Sequence, residues 1–325
     1  MNRSNEAKQN LDKEMVRSLF ARYGVLIGIA LLIIIFSLTT DSFFDFRNFS
    51  NVFKQASING FIAIGLMLAI ITGGIDLSAG SNLAVTSILC AQYLRAGIPT
   101  PQAIMLSLVG AMLFGLVNGV AIAYTAVPQF IVTLSMQTIG RGLALIITNG
   151  SPITVKNDFM LWLGRSNILE IPVSIWVLAL VVAISWVIMN KTKIGRYIYA
   201  IGGNLETAKL SGINVPRYIM FTYSYAGLLY GIAAVILTGR LTSGAPTVGI
   251  GYELDAVAAA VLGGTAFTGG VGTVGGTILG AALIAILGNG MTLMNVSSYI
   301  QQVVRGGVIF NAVYISMLLS RKRTR

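Results

Sequence analysis

Histidine is absent from this sequence, which removes imidazole as an acid–base catalyst or metal ligand. Cysteine occurs once, as Cys90 in an apolar stretch. No disulfide can therefore form within the chain, and the thiol is expected to serve as a small buried hydrophobe. Charged residues make up only 10% of the chain, against roughly a quarter in soluble domains. Acidic residues stop at Asp255. The run Gly270–Gly275, GVGTVG, thus lacks the downstream carboxylate, and the preceding strand, that a dinucleotide-binding G-x-G-x-x-G needs. No G-x-x-x-x-G-K-[ST] occurs, so ATP spent on this chain's behalf is held by another polypeptide. The absence of clustered Ser–Lys or paired Asp groups argues against an intramembrane enzyme.

Apolar residues fill the space that charge leaves. They form 55% of the chain, and the mean hydropathy is +0.80. The apolar runs approach the roughly 20 residues that a bilayer crossing requires. They are continuous rather than alternating, which excludes a transmembrane barrel. The expected fold class is an all-α membrane protein of about ten transmembrane helices. The spans fall near Tyr23–Thr39, Ile58–Thr72, the segment ending at Tyr93, Ala103–Thr125, Phe130–Thr148, Pro172–Met189, Ile219–Thr238, Ala256–Ala266, Thr273–Met294 and Ser298–Leu319. Asp41–Gln55 and Asn149–Ile171 read as loops on the outer side. Gly115 and Gly119 give the fourth span a small-xxx-small face for close packing.

The net charge of +11 follows the same topology, because 14 of the 22 Lys and Arg lie in Arg3–Arg22, Lys191–Arg217 and Arg321–Arg325. These segments face the cytoplasm if both termini do, so the excess is the positive-inside signal. Lipid headgroups, not nucleic acid, are its expected partner. The organisation is then a cytoplasmic segment over 1–22, a permease-like membrane domain over 23–320 and a basic cytoplasmic tail over 321–325. In the first segment Val16, Leu19 and Phe20 form an interfacial face, and the first span reads as an uncleaved signal anchor.

The longest basic interruption, 190–217, contains GGNLETAKLSGINVP. Asn204 is placed to cap a short helix, with Glu206 in its first turn and Lys209 in its last. Gly212 takes the left-handed conformation after it, and Pro216 prevents resumption. About two turns of helix are unstable alone in water, so this element is expected to dock on another protein.

Two breaks resemble each other: GGIDLSAGSNLAV after the second span and GIGYELDAVAAAV after the seventh. Each sets a carboxylate in a Gly-flanked interruption before an apolar helix, the pattern of an inverted repeat. Asp76 in the first either touches a solute or caps the next helix. Glu253 and Asp255 in the second complement a helix dipole, and Asp255 is also a candidate for the path. Arg141 and Arg305 lie inside expected spans and must pair or line water. Asn118, Gln137, Asn289 and Asn295 either join helices or meet a hydroxylated solute. Phe130 and Tyr124, near Pro128, form an aromatic gate or anchor at the interface. The path or gate candidates are therefore Asp76, Asn118, Phe130, Gln137, Arg141, Asp255 and Asn289.

Together, GRYIYAIGGNLETAKLSGINV (Gly195–Val215), TNGSPI (Thr148–Ile153), GGIDLSAGS, GYELDAVAAAVLGGT (Gly251–Thr265) and NVSSYIQQVVRG (Asn295–Gly306) resemble the membrane permeases of ribose-type ABC importers. The resemblance runs from about Tyr23 to the end of the chain. It implies a permease in a bacterial inner membrane, paired with a second permease subunit, identical or paralogous. A cytoplasmic ATPase would power it, with ATP and Mg on that partner and no cofactor on this chain. An extracytoplasmic sugar-binding protein would deliver the solute, a ribose-like pentose or a hexose. The coupling element would match Gly202, Gly203, Asn204, Ala208, Ser211 and Gly212, with Glu206 in the same turn. An ion-coupled secondary transporter of a small neutral solute is the rival, since it too uses inverted repeats and broken spans. Asp76 is the one carboxylate suited to its proton coupling.

Overall fold

The computed structural model describes residues 24–321, so the expectations for 1–22, including Val16, Leu19 and Phe20, and for the tail beyond Arg321 lie outside the described residues. The chain is built from helices. α1 (Gly24–Thr39) leads into α2 (Phe46–Ile71), α3 (Ala79–Arg95), α4 (Thr100–Tyr124) and α5 (Gln129–Thr148). A connecting stretch carries β1 (Ile153–Thr154), α6 (Asp158–Arg165), β2 (Asn167–Ile168) and β3 (Ile171–Pro172) before α7 (Val173–Lys191). Two shorter helices follow, α8 (Lys193–Gly203) and α9 (Leu205–Leu210). The last part holds α10 (Val215–Leu241), β4 (Ser243–Gly244), α11 (Tyr252–Leu262), α12 (Val274–Leu293) and α13 (Ser298–Arg321).

Six of these helices, α2, α4, α5, α7, α10 and α12, are long and apolar enough to cross a membrane. The other expected spans are also helical, but α1, α3 and α11 are shorter. Three local expectations change. α2 begins at Phe46 rather than near Ile58, because the Asp45 carboxylate accepts from Arg47 N at 2.9 Å and starts the helix inside the expected loop. The Asn149–Ile171 loop holds a helix of its own, α6, capped by Asn157 Oδ1 accepting from Met160 N at 3.0 Å. Pro216 does not separate helices but sits in the first turn of α10, where its missing N–H costs nothing.

The packing pattern repeats between the two halves. α2 lies on α12 as α10 lies on α4, α3 packs on α4 and α5 as α11 packs on α12 and α13, and α3 meets α10 as α11 meets α2. Each element of the first half thus has its counterpart in the second, α2–α5 answering to α10–α13. β1 pairs antiparallel with β4, Ile153 opposite Gly244, and joins the halves at one end. Most of the α2 side chains from Ile58 to Ile71 are buried, and with α10 this helix forms the core.

α3 and α11 begin at the same place and run apart. A Cβ on Gly80, in the first turn of α3, would overlap Gly249 O and Glu253 Oε2 at the start of α11. α3 then passes β4, where Gly244 abuts Ser87 and Ile88, while the segment after α11 reaches α8, where Gly270 abuts Gly202 and Gly203. The two positive helix ends therefore face one another inside the protein. Cys90, on α3, is buried as expected.

Candidate functional site

The centre of the molecule is a polar cluster at the α2–α3 break. Asp76 is fully buried, and its Oδ1 accepts from Ser78 N at 3.0 Å and from Ser78 Oγ at 2.6 Å. The hydroxyl of Ser78 accepts in turn from Asn118 Nδ2 on α4 at 2.7 Å. Having given its one proton to Asp76, Ser78 fixes the orientation of the Asn118 amide. The buried Tyr230 hydroxyl on α10 faces the Asp76 carboxylate, and Asn118 Oδ1 is left buried without a partner among the described residues. Asp76 therefore organises the turn into α3 from two residues before the N-cap position, which Ser78 occupies.

This arrangement sets an expected result. Asp76→Ala leaves the buried N–H and hydroxyl of Ser78 without their acceptor and should destabilise the protein by about 3 kcal/mol. Asp76→Asn keeps an acceptor toward Ser78 and places a donor where Oδ2 stands, so its cost should be about 1 kcal/mol or less. Alkylation of the single buried thiol, Cys90, during thermal unfolding measures both. Equal losses from the two substitutions would show that Asp76 is not bound as described.

The second half closes on the start of α11, where Gly251, at φ 82°, turns the chain into the helix. Gln137 on α5 donates from Nε2 to Glu253 Oε1 at 3.0 Å. One turn on, Arg141 Nη1 donates to Pro246 O and, at 2.9 Å, to Val248 O. From the other side Arg305 on α13 pairs with Asp255 Oδ2 at 3.1 Å. The counterpart helices α5 and α13 carry the same spacing, Gln137-x-x-x-Arg141-Gly142 and Gln301-x-x-x-Arg305-Gly306. Arg141 thus holds the segment leading into α11 and Arg305 holds its first turn, one arginine from each half. Gln137, Thr138, Arg141, Gly142, Ile250 and Glu253 line an open cleft of about 480 Å³ beside it.

The expected path residues therefore divide. Asp76 and Asn118 form one cluster, and Gln137 and Arg141 form a second across Gly80 from it. Asp255 belongs to the Arg305 pair. Phe130 stands exposed in the first turn of α5, Tyr124 is exposed at the end of α4, and Asn289 donates to Asn48 Oδ1 at 2.8 Å between α12 and α2. Sequence reasoning left Glu253 out of the path set. No local pattern pointed to it, because its partner Gln137 lies 116 positions away in the chain.

The loop after α7 is a second site. Asn204 ends α8, its N–H bonded to Ala200 O at 3.1 Å, and its Oδ1 accepts from Thr207 N at 2.8 Å to start α9. At the other end Gly212, at φ +76°, donates to Lys209 O at 2.9 Å and Ile213 N donates to Ala208 O at 3.1 Å. These are the paired bonds of a Schellman terminus, with Ile213 closing over Ala208 as its apolar contact. Ser211 Oγ donates to Thr207 O at 2.8 Å. The Glu206–Lys209 pair at 2.9 Å is exposed and contributes little.

The inner face of this loop is fixed by backbone contact. Gly202 lies so close to Ile71 O and Gly270 N that no side chain fits there, and Gly270 N donates to Ile71 O at 2.9 Å. Tyr199 donates its hydroxyl to Gly272 O at 2.8 Å, and burial pushes the phenol up, so it stays a donor throughout the physiological range. The ends of α2 and α8 and the α11–α12 connection meet in one junction. Gly202 and Ala208 thus face the membrane helices. The outward face of α9 carries Leu205 and Leu210, the latter 89% exposed, and sequence reasoning had singled out neither.

Residues 48–313 match the family described as branched-chain amino acid transport system / permease component. The chain is 41% identical over 294 residues to the ribose import permease protein RbsC of Escherichia coli, covering 89% of this chain and 92% of that one. It is 44% identical over 306 residues to RbsC of Bacillus subtilis, covering 93% and 94%. The D-allose transport system permease protein AlsC of Escherichia coli is 35% identical over 304 residues, 92% of this chain and 93% of that one. No solved structure matches significantly.

Proposed function

This chain belongs to the branched-chain amino acid transport system / permease component family, and on that premise we propose that it is the permease subunit of an ATP-driven importer of a ribose-like monosaccharide. The observation that carries the reading is the α8–α9 loop. The short helix α9, with two exposed leucines, is bonded at both ends, and the end of α8 before it rests, through Gly202, on the end of α2 and the α11–α12 connection. The identity to ribose permeases supports a sugar as the solute.

In this reading a cytoplasmic ABC ATPase grips α9 at Leu205 and Leu210, with Glu206 and Lys209 at the rim. Gly202, Gly203, Asn204, Ala208, Ser211 and Gly212 hold the loop rigid rather than touch the partner. ATP binding on that partner favours one membrane conformation, which the junction at Gly202 passes to the two breaks. The chain crosses the inner membrane ten times, with both termini on the ATPase side. Two permease subunits enclose the path, and an extracytoplasmic binding protein releases sugar at its other end. Asp76, Asn118, Gln137, Arg141 and Asp255 border the moving centre, while Phe130 and Asn289 are placed for packing. No cofactor is assigned to this chain.

Reconstitution with the ATPase and binding protein tests the proposal through ATP-dependent uptake of D-ribose. Leu210→Asp sets a charge at the centre of the docking face and should lower uptake and ATPase co-purification at least about tenfold, with Cys90 still protected. Wild-type uptake in that variant, or accumulation of sugar with no ATPase present, would overturn it.

A further inference from the structure

The cleft between α5 and the start of α11 holds hydrogen-bonding capacity that the fold leaves unused. Arg141 is clamped through Nη1 by two backbone carbonyls, and its other N–H groups meet no acceptor among the described residues. Gln137 spends its Nε2 on Glu253, while its Oε1 receives nothing. Glu253 Oε2 is buried against Gly80, with the Gly251 and Glu253 backbone N–H groups beside it, so this carboxylate holds Gln137 rather than opening to the cleft. Thr138, exposed, donates to Leu134 O at 3.2 Å and keeps its oxygen free to accept. Leu145 and Ile250 supply apolar wall.

We propose that this cleft is a transit site that reads the hydroxyls of a neutral polyhydroxylated solute. The proposal rests on the importer reading and assigns a task to one place in it. A sugar hydroxyl both donates and accepts, so it is matched by neighbouring acceptors and donors held in fixed positions. Here Gln137 Oε1 accepts from one hydroxyl and Arg141 donates to its neighbour, while Glu253 holds the Gln137 amide in place and Thr138 contacts the rim. Arg141 and Glu253 have opposite charges, and together they leave the cleft without net charge, which favours a neutral solute over a phosphate or a lone cation. An acyl chain in the same space would leave the remaining Arg141 N–H groups and Gln137 Oε1 buried and unmet, at a cost. The volume, about 480 Å³, lies within the usual range of ligand pockets, about 300–1,000 Å³.

The test places a reporter in the cleft. Gly142 lines it with open space at its Cβ position, and the native thiol is buried. Gly142→Cys in the assembled transporter can therefore be labelled selectively. D-ribose and xylitol should slow labelling at least about threefold at saturating concentration, while L-leucine and inorganic phosphate leave it unchanged. Adding Gln137→Leu should remove the protection with Cys90 still shielded. If that change unfolds the protein, Thr138→Val decides instead by weakening the protection. Protection by leucine or phosphate equal to that by ribose, no protection by either polyol, or protection that survives both substitutions would overturn the site. Loss of the importer reading is separate, since it would appear as no ATP-dependent ribose uptake by the wild-type assembly.

Discussion

Gly202→Ala is expected to reduce uptake to background. A Cβ at this position overlaps Ile71 O and crowds Gly270 N. Neither neighbour is the tip of a flexible side chain, so one backbone must move away from the other. The Gly270 N–Ile71 O bond and the Tyr199–Gly272 bond lie within the same junction and are strained together. Overpacking between rigid segments costs about 3 kcal/mol or somewhat more, concentrated where α8 meets the breaks. Uptake measured beside Cys90 alkylation separates the outcomes. A protein that stays folded but no longer couples ATP to transport shows that the junction transmits motion. Wild-type uptake would mean that α8, the end of α2 and the α11–α12 connection move independently.

Gly115→Val should have the largest effect on stability. α4 and α10 are in backbone contact: a Cβ on Gly115 overlaps Tyr223 O, and one on Gly227 overlaps Ala111 O. Between membrane helices the attraction is dispersion at close range rather than the hydrophobic effect, so wedging them apart forfeits it along the whole contact. The same wedge displaces Tyr223 from Gln129 and shifts Asn118, one turn beyond Gly115, relative to Ser78. We expect a loss of about 4 kcal/mol or more, read as early exposure of Cys90 on heating. The paired change Gly227→Val should add little to it, because the contact is already lost. Independent, additive losses would contradict the described interface.

Much of this was legible from residue order alone. The apolar runs announced the helices, since a chain in lipid must satisfy its backbone within each segment. Asn204, Lys209 and Gly212 marked both ends of α9, because caps and Schellman bonds link residues only a few positions apart. Gly115 and Gly119 marked a packing face. Where reading failed, the deciding contact was also local but ambiguous: Asp45 starting α2 within an apparent loop, and Pro216 opening a helix rather than closing one.

The tertiary structure decided which polar groups meet. Nothing in their spacing tells that Asn118 reaches Ser78, that Gln137 holds Glu253, or that the two arginines of matching spacing converge on the start of α11. These pairs come from segments far apart in the chain, brought together by the antiparallel packing of its two halves. Burial then allows only pairings that satisfy one another, and it also turned Gly202 and Ala208 inward and left Leu210 exposed. Residue order set the elements and their ends because those depend on neighbours. The assignment of partners waited on the fold, because a hydrogen bond is specific to within a few tenths of an ångström and no local pattern carries that distance.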